Sequence, residues 1–558
     1  MTIRQWTQLV AAPLALAAGV IHAPFAAADL PAWKMGGQNL SNSRNQPDEK
    51  RISAESVHGL APRWVVATDG DVSATPAVVD GALYVPDWAG KLYKIDTRSG
   101  ATLWKVTLPA VSRITPAVVG NQLIVPLQGL PPGGTCAGVA GGACVLSINA
   151  TTGAITWQSR IDDFPTSYVT QSPVVSDQRV YVGVTSAEES LTGLVPGYAC
   201  CSFRGSIVAL DLDSGALQWK TYTVPDGAGL PFNERYAGAG VWGSTPVVDK
   251  KRNLLFVGTG NNYNIPESVK LCFMQLTDTS HCDTATNNHV DAIMALDLQT
   301  GAVRWARSFA GRSGYNWPPG LQGYDAWNLS CIAFIFPGGN TSNCPAPVGP
   351  DFDFAQGPML LKTHIGGRPR DLLVAGQKSG VFWALDPDDG NVVWATVTGP
   401  GGVAGGMQWG SATDGTRIYF ANSNSGNVPV SIGGVTTRSG FWGALDARNG
   451  AVLWMTADPN LYSGPYGAVT VANGVVFAGS NGGPSPIFTG GTIPWDYQTA
   501  PSMFALDART GQVRWSYAAG GSVLGGAAVV NGAVYWGSGY ANFGVGVANR
   551  RLYAFETR

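Results

Sequence analysis

The sequence predicts an all-β fold, an eight-bladed β-propeller of four-stranded antiparallel blades. Three observations carry this. A thirteen-residue frame recurs along the chain, a second hairpin precedes each copy, and the chain ends on half a copy whose missing half lies near its start.

The frame is first met at Leu92–Trp104, where an alternating apolar run reaches Asp96, Gly100 follows four residues on, and Trp104 four after that. It returns at Asn149/Gly153/Trp157, Asp211/Gly215/Trp219, Asp297/Gly301/Trp305, Asp386/Gly390/Trp394, Asp446/Gly450/Trp454 and Asp507/Gly511/Trp515. Alternation gives two strands, and Asp-x-x-x-Gly is a tight turn that needs a side-chain acceptor and a positive-φ residue. The upstream hairpin runs over Thr75–Val85 in the first unit and Ala527–Trp536 in the last. Two hairpins make one four-stranded blade, and repetition at long period implies radial or solenoidal packing. The half copy Leu552–Glu556 is completed by Leu60–Trp64, which closes the ring and removes its free edges. The repeated Asp, Gly and Trp are read as turn and inter-blade packing residues without a catalytic role.

The repeat spans most of the 558 residues, so residues 29–558 are read as a single propeller domain. A formal charge of −2 argues against a nucleic-acid partner or a polybasic membrane contact. Arg4, an apolar run through Ile21 and the small residues Ala26, Ala27 and Ala28 read as a secretory signal over residues 1–28, cleaved near Ala28. The mature protein is expected in the periplasm or outside the cell, without a membrane span. The eight cysteines suit an oxidising compartment. Cys136/Cys144, Cys272/Cys282 and Cys331/Cys344 each bracket a loop and read as local staples. The adjacent Cys200 and Cys201 either bond each other or cross-link to two different loop cysteines. No Cys-x-x-Cys-His occurs, which argues against covalent haem.

With the strands of a blade lettered A to D from the axis outwards, A–B and C–D turns share one face of the disc. The long segments 127–143, 184–206, 261–291, 306–352, 421–440 and 480–501 are all B–C or D–A connections, so they gather on the other face. Long loops on one rim of a rigid scaffold are where a binding site is expected. Starts of strand A bring Arg113, Thr170, Trp242, Asp351, Asp353 and Gln408 to that rim. Ends of strand B bring Glu188, Glu189, Asn261 and Lys378. Carboxylates with an amide oxygen suit a hard divalent cation such as Ca2+. Arg113 and Lys378 suit an anionic or carbonyl-bearing ligand. Trp242 lies outside the repeat's Trp register, and a flat aromatic there suits the floor of a planar cofactor. Taken singly, Asn261 is an ordinary turn residue, Lys378 a surface lysine and Glu188 a solvated carboxylate. The shared rim is what singles them out.

The stretches Gly70–Pro76, Pro86–Gly90, Cys200–Ser206, Gly349–Phe354 and Ala375–Gly380 resemble the pyrroloquinoline-quinone (PQQ)-dependent alcohol dehydrogenases, the quinoprotein family that includes methanol dehydrogenase. The resemblance covers essentially the whole mature chain and is strongest to the branch acting on polyvinyl alcohol. It implies PQQ and Ca2+ as cofactors, with a lanthanide as the alternative metal, an alcohol or polymeric alcohol as substrate, and a separate periplasmic cytochrome c as electron acceptor. Carried over by motif, Glu188 and Asn261 are metal ligands and Trp242 lies beneath the quinone ring. Asp353 is the catalytic base and metal ligand, Lys378 the basic residue near the quinone carbonyls, and Arg113 with Thr170 the contacts to the cofactor carboxylates. Gln408, Cys200 and Cys201 are added as cofactor contacts. Two departures matter. The adjacent cysteines lie in the third blade's loop rather than before the second blade. The doublet Asp351/Asp353 also resembles the Asp-x-Asp of lanthanide-using relatives, in which register Asp351 is the base and Asp353 the extra metal ligand. A cofactor-free scaffold propeller and a lectin-like propeller are the rival readings from other classes.

Overall fold

The computed structural model describes residues 31–558 apart from 130–133, 276–278, 280, 284, 312–314 and 319. The expected signal segment lies outside the described residues.

Blade 1 consists of Ala77–Val79, Ala82–Pro86, Lys91–Asp96 and Thr102–Thr107, hydrogen-bonded in that order. Its second strand is buried at every position, while its outermost strand alternates exposed and half-buried residues. Inner strands are covered on both sides by neighbouring blades, so they read as unbroken apolar runs, and outer strands keep one wet face. Six further sheets repeat the arrangement in chain order. The eighth blade, Ala528–Val530, Ala533–Ser538 and Arg551–Thr557, is completed by Leu60–Ala67, with Val65 opposite Tyr553. The expected eight-bladed propeller and its closure by the N-terminal strand are what the structure shows.

The repeated tryptophans dock one blade on the next. The indole N–H groups of Trp64, Trp104, Trp157 and Trp219 donate to the carbonyls of Thr97, Ala150, Leu212 and Leu298 at 3.0–3.2 Å. Trp305, Trp394 and Trp454 do the same to Pro387, Ala447 and Ala508, and Trp515 reaches Leu60 at 2.9 Å, across the closure. In seven frames the acceptor directly follows the turn Asp or Asn. The indole face then lies on the frame's glycine: a Cβ on Gly511 would stand 2.4 Å from Trp454.

Residues 33–46 make a circuit that the repeat pattern did not announce. Trp33 pairs with Val78 of blade 1, Lys34 accepts from Val118 of blade 2, and Gly36 lies against Ser172 at the entry to blade 3. Leu40, Ser41, Ser43 and Arg44 then accept from Val248, Leu360, Thr413 and Val471 of blades 4 to 7. Gln46 Nε2 donates to Val529 of blade 8 at 3.1 Å. One short segment therefore reaches every blade in turn, and in blades 1, 2 and 4 to 7 it accepts an inner-strand amide that would otherwise be stranded at the axis.

All four disulfides form: the three loop staples and Cys200–Cys201, which settles the choice left open for that pair. The long segments fall between strands B and C or D and A, as expected, and carry the helices Glu188–Leu194 and Glu267–Gln275. Among the described residues no helix is long and apolar enough to cross a membrane.

Candidate active site

The site is built on the entries to blades 4 and 5. Asp353 precedes the first strand of blade 5 and is 3% exposed. Its Oδ2 accepts from Trp242 Nε1 at 3.0 Å and from Lys378 Nζ at 3.1 Å, and its Oδ1 accepts from the backbone N–H of Asn261. The glycine at 260 is required by this contact, because a Cβ there would lie 2.8 Å from Asp353 Oδ1. Lys378 follows the second strand of blade 5, and its ammonium also donates to Asp351 Oδ1 at 2.8 Å. Asp351 adopts a left-handed backbone (φ 59°), tolerated by a short polar side chain. Its amide and that of Phe352 donate to Asp325, which fixes the bend that presents both aspartates to one lysine.

Charge is unbalanced here. Burial pushes the Lys378 ammonium towards losing its proton, but Asp351 and Asp353 more than reverse this, so it stays protonated. Burial raises Asp351 well above the usual carboxylate range against the pull of Lys378. It raises Asp325 to about 6, opposed by the amide of Phe352, and it raises Asp291 well above its ordinary value, helped by the charge of Asp325. The Asp291 carboxyl is fully buried and hydrogen-bonds that of Asp325. One lysine faces a cluster of acids.

Glu188 stands apart from this cluster. Its carboxylate is turned to the backbone amides of Ser202 (3.0 Å) and Phe203 (2.8 Å) and to the Tyr198 hydroxyl, so it caps the loop of the adjacent cysteines rather than facing Asp353. The neighbouring Glu189 is the one that feels the cluster. Burial raises its pKa to about 8, with Asp353 adding to the rise and Lys378 opposing it. Asn261 spends its Nδ2 on the carbonyls of Trp327 (2.7 Å) and Asn262 (3.1 Å), which orients Oδ1 as its remaining acceptor. The disulfide is joined to this corner through Asn328, whose Nδ2 lies 3.8 Å from Cys200 Sγ and also donates to the Tyr263 carbonyl.

On the axial side, Thr170 Oγ1 donates to the carbonyl of Trp242 at 3.0 Å. Trp242 meets Trp409 edge-on at 5.4 Å, and the Arg113 guanidinium lies 4.4 Å from the Trp409 ring centre while donating to Tyr540. Gln408 enters only through its carbonyl, which accepts from Gly410. Its neighbour Trp409, which sequence reasoning passed over, carries the ring contacts. The signal was available, since Trp409 is also outside the docking register.

A family model, PQQ_2, described as outer membrane protein assembly factor BamB, matches residues 34–322, 366–495 and 438–558. A polyvinylalcohol dehydrogenase of a Pseudomonas species is 31% identical over 535 residues, covering 91% of this chain and 73% of that protein. The chain belongs to the PQQ-dependent alcohol dehydrogenase family. A quinohemoprotein alcohol dehydrogenase, ADH IIB of Pseudomonas putida, is 26% identical over 70% of this chain and 51% of its own length. A europium-containing methanol dehydrogenase shares the fold at a TM-score of 0.63 and 17% identity, over 94% of this chain and 98% of that one.

The quinoprotein's residues fit its cofactor. PQQ is a planar, tricarboxylated quinone, and the site offers an indole face, Thr170, and an arginine whose Nε is buried and unpartnered. A metal is met by donor type rather than by a finished cage. Among the described residues no three acidic, His or Cys side chains already converge as ligands. The surplus of carboxylates and the oriented Asn261 Oδ1 nonetheless suit a hard cation.

Proposed function

We propose that this quinoprotein oxidises secondary alcohols to ketones in the periplasm, with polyvinyl alcohol or a similar polyol as substrate. Its electrons pass to a separate cytochrome c. The reading rests on one observation: the Asp353 carboxylate is gripped by Trp242, Asn261 and Lys378 at the floor of the loop-rich rim.

PQQ, when bound, would supply the two-electron acceptor that takes the substrate's hydride, and a hard cation held here would supply Lewis-acid polarisation. Asp353 takes the proton of the substrate hydroxyl. Lys378 holds that carboxylate in place through its hydrogen bond at 3.1 Å. Trp242 provides a flat apolar support, while Arg113 and Thr170 anchor carboxylate groups. Asn261, Asp353 and Glu189 are the ligands offered to Ca2+, with Asp351 available as a further carboxylate. That further carboxylate supports a second reading, a lanthanide with Asp351 as base. The polyvinyl alcohol assignment draws on the likeness to the Pseudomonas polyvinylalcohol dehydrogenase.

Reconstitution with PQQ and either Ca2+ or a lanthanide, assayed by dye reduction on polyvinyl alcohol oligomers and on primary and secondary alcohols, tests the reading. The expected result is Ca2+-dependent turnover highest on secondary alcohols. Dye reduction restricted to primary alcohols would overturn the substrate assignment.

A further inference from the structure

The N-terminal circuit carries a charge that the catalytic reading does not use. Arg44 is 4% exposed. Its Nη2 donates to the Trp409 carbonyl at 3.3 Å, but Nε and Nη1 are buried without a partner. The backbone has been cleared to admit it. A Cβ on Gly410 would lie 2.4 Å from Arg44 Nε, and one on Gly526 3.1 Å from Nη1. Burying a guanidinium without a counter-charge is strongly unfavourable, so a fold that makes room for one has something to place against it.

Arg44 lines an axial cavity of about 50 Å³, at which Arg113, Trp409 and Tyr540 also lie. A water needs roughly 10–15 Å³ of such space, so the cavity takes one small anion or a carboxylate group. No Asp or Glu is among the described residues lining it. A second guanidinium shares it, for the Nε of Arg113 is likewise buried and unpartnered. Several hydroxyls also line it, and three of them bear on its chemistry. Thr75, Ser172 and Ser244 each accept a backbone N–H, from Gly526, Thr115 and Gly357 respectively. Each therefore keeps its own O–H to give. Two guanidiniums and three available O–H donors, with no carboxylate among the described lining residues, make an anion site by chemistry.

We propose that this axial cavity binds a small anionic group, with Arg44 and Arg113 as its two cationic walls and the hydroxyls of Thr75, Ser172 and Ser244 as donors. Two sources share that chemistry: a free monovalent anion such as chloride or formate, and a carboxylate arm of the quinone cofactor. Only the second source rests on the catalytic reading. The experiment therefore begins with cofactor-free protein.

Crystals of the cofactor-free mature chain grown with bromide are expected to show an anomalous peak in contact with the Arg44 guanidinium. A second crystal grown with PQQ separates the sources: a retained peak marks a free-ion site, and carboxylate density in its place marks the cofactor arm. Density for water alone at Arg44 in both crystals would overturn the proposal. In solution, replacing gluconate by bromide stepwise at constant ionic strength should raise the melting midpoint saturably, by about 1–2 °C. Arg44→Met should abolish that rise while leaving the response to ionic strength unchanged. Should the variant fail to fold, wild-type protein decides alone, since identical midpoints in the two salts would also sink the idea.

Discussion

The indole nitrogen of Trp242 donates to Asp353 Oδ2 across 3.0 Å, tying the aromatic floor to the carboxylate beside it. The two come from different blades, so the bond sets the height of the proposed base relative to the floor. Asp353→Asn keeps the shape and removes the ability to take a proton. Dye-linked turnover should fall by about 10²–10⁴-fold, the usual worth of a general base. PQQ affinity, followed by quenching of tryptophan fluorescence, should change far less. An equal loss of both would assign Asp353 a structural role instead.

Lys378 bridges Asp351 and Asp353 where all three are under 5% exposed. Lys378→Met leaves two buried carboxylates facing each other without a counter-charge. Breaking such a pair from one side costs about 3–5 kcal/mol. Denaturant unfolding of the cofactor-free protein should show that loss, and Lys378→Arg should recover most of it. A Lys378→Met variant as stable as wild type would mean the carboxylates are already neutral.

The adjacent glutamates separate two functions. Glu188 accepts from the amides of Ser202 and Phe203, so Glu188→Gln removes a charged acceptor from that loop, at a cost of about 1.5–3 kcal/mol in stability. Lanthanide affinity, read by terbium luminescence, should be little altered. Glu189→Gln should show the opposite pattern, with affinity reduced tenfold or more at unchanged melting midpoint. Reversed results would restore Glu188 as the ligand.

What the sequence made legible was whatever repeats or converges by topology. The Trp register is periodic because each indole meets the same backbone carbonyl in the next blade. The rim residues were reachable because strand order alone assigns each to a face. Glu188 and Glu189 were not separable, since neighbours at a helix start point about 100° apart and the phase is set by packing. The circuit of residues 33–46 was invisible for another reason. Its bonds are largely backbone to backbone, and such pairing leaves no mark on side-chain type. Arg44 gave no signal of its own because nothing in its neighbours' identities announces burial.

Asp458, remote from the rim acids, makes stability depend on pH. It is buried against Ser480 and Asn460, and burial raises its pKa to about 6 against those hydrogen bonds. The folded state therefore binds a proton more tightly than the unfolded chain, whose aspartates titrate near 4. This group's contribution is most favourable below about pH 4 and is lost as pH rises to about 6, a change on the order of 2–3 kcal/mol. Asp458→Asn cannot titrate. Its stability relative to wild type should therefore improve by that order between pH 4 and pH 7 in paired urea titrations. A constant difference would show that Asp458 folds with its ordinary pKa.

Two glycines of blade 7 distinguish the cost of backbone conformation from the cost of blade docking. Gly474 (φ 79°) has nothing within 4 Å of an added Cβ, whereas the same atom on Gly511 (φ 73°) would meet Trp454 at 2.4 Å and Thr456 Oγ1 at 2.8 Å. Alanine at either position pays about 1–2 kcal/mol for a left-handed backbone. Only Gly511→Ala must also displace the indole that donates to Ala508, overpacking worth a further ~1–3 kcal/mol. Gly474→Ala should thus lower stability modestly, and Gly511→Ala by roughly twice as much. Most of the excess should disappear in a Trp454→Ala background, because the nearer of the two clashing side chains has gone and only Thr456 Oγ1 remains. Additive losses in the double variant would mean that Gly511 serves its turn alone and has no part in holding blade 6 to blade 7.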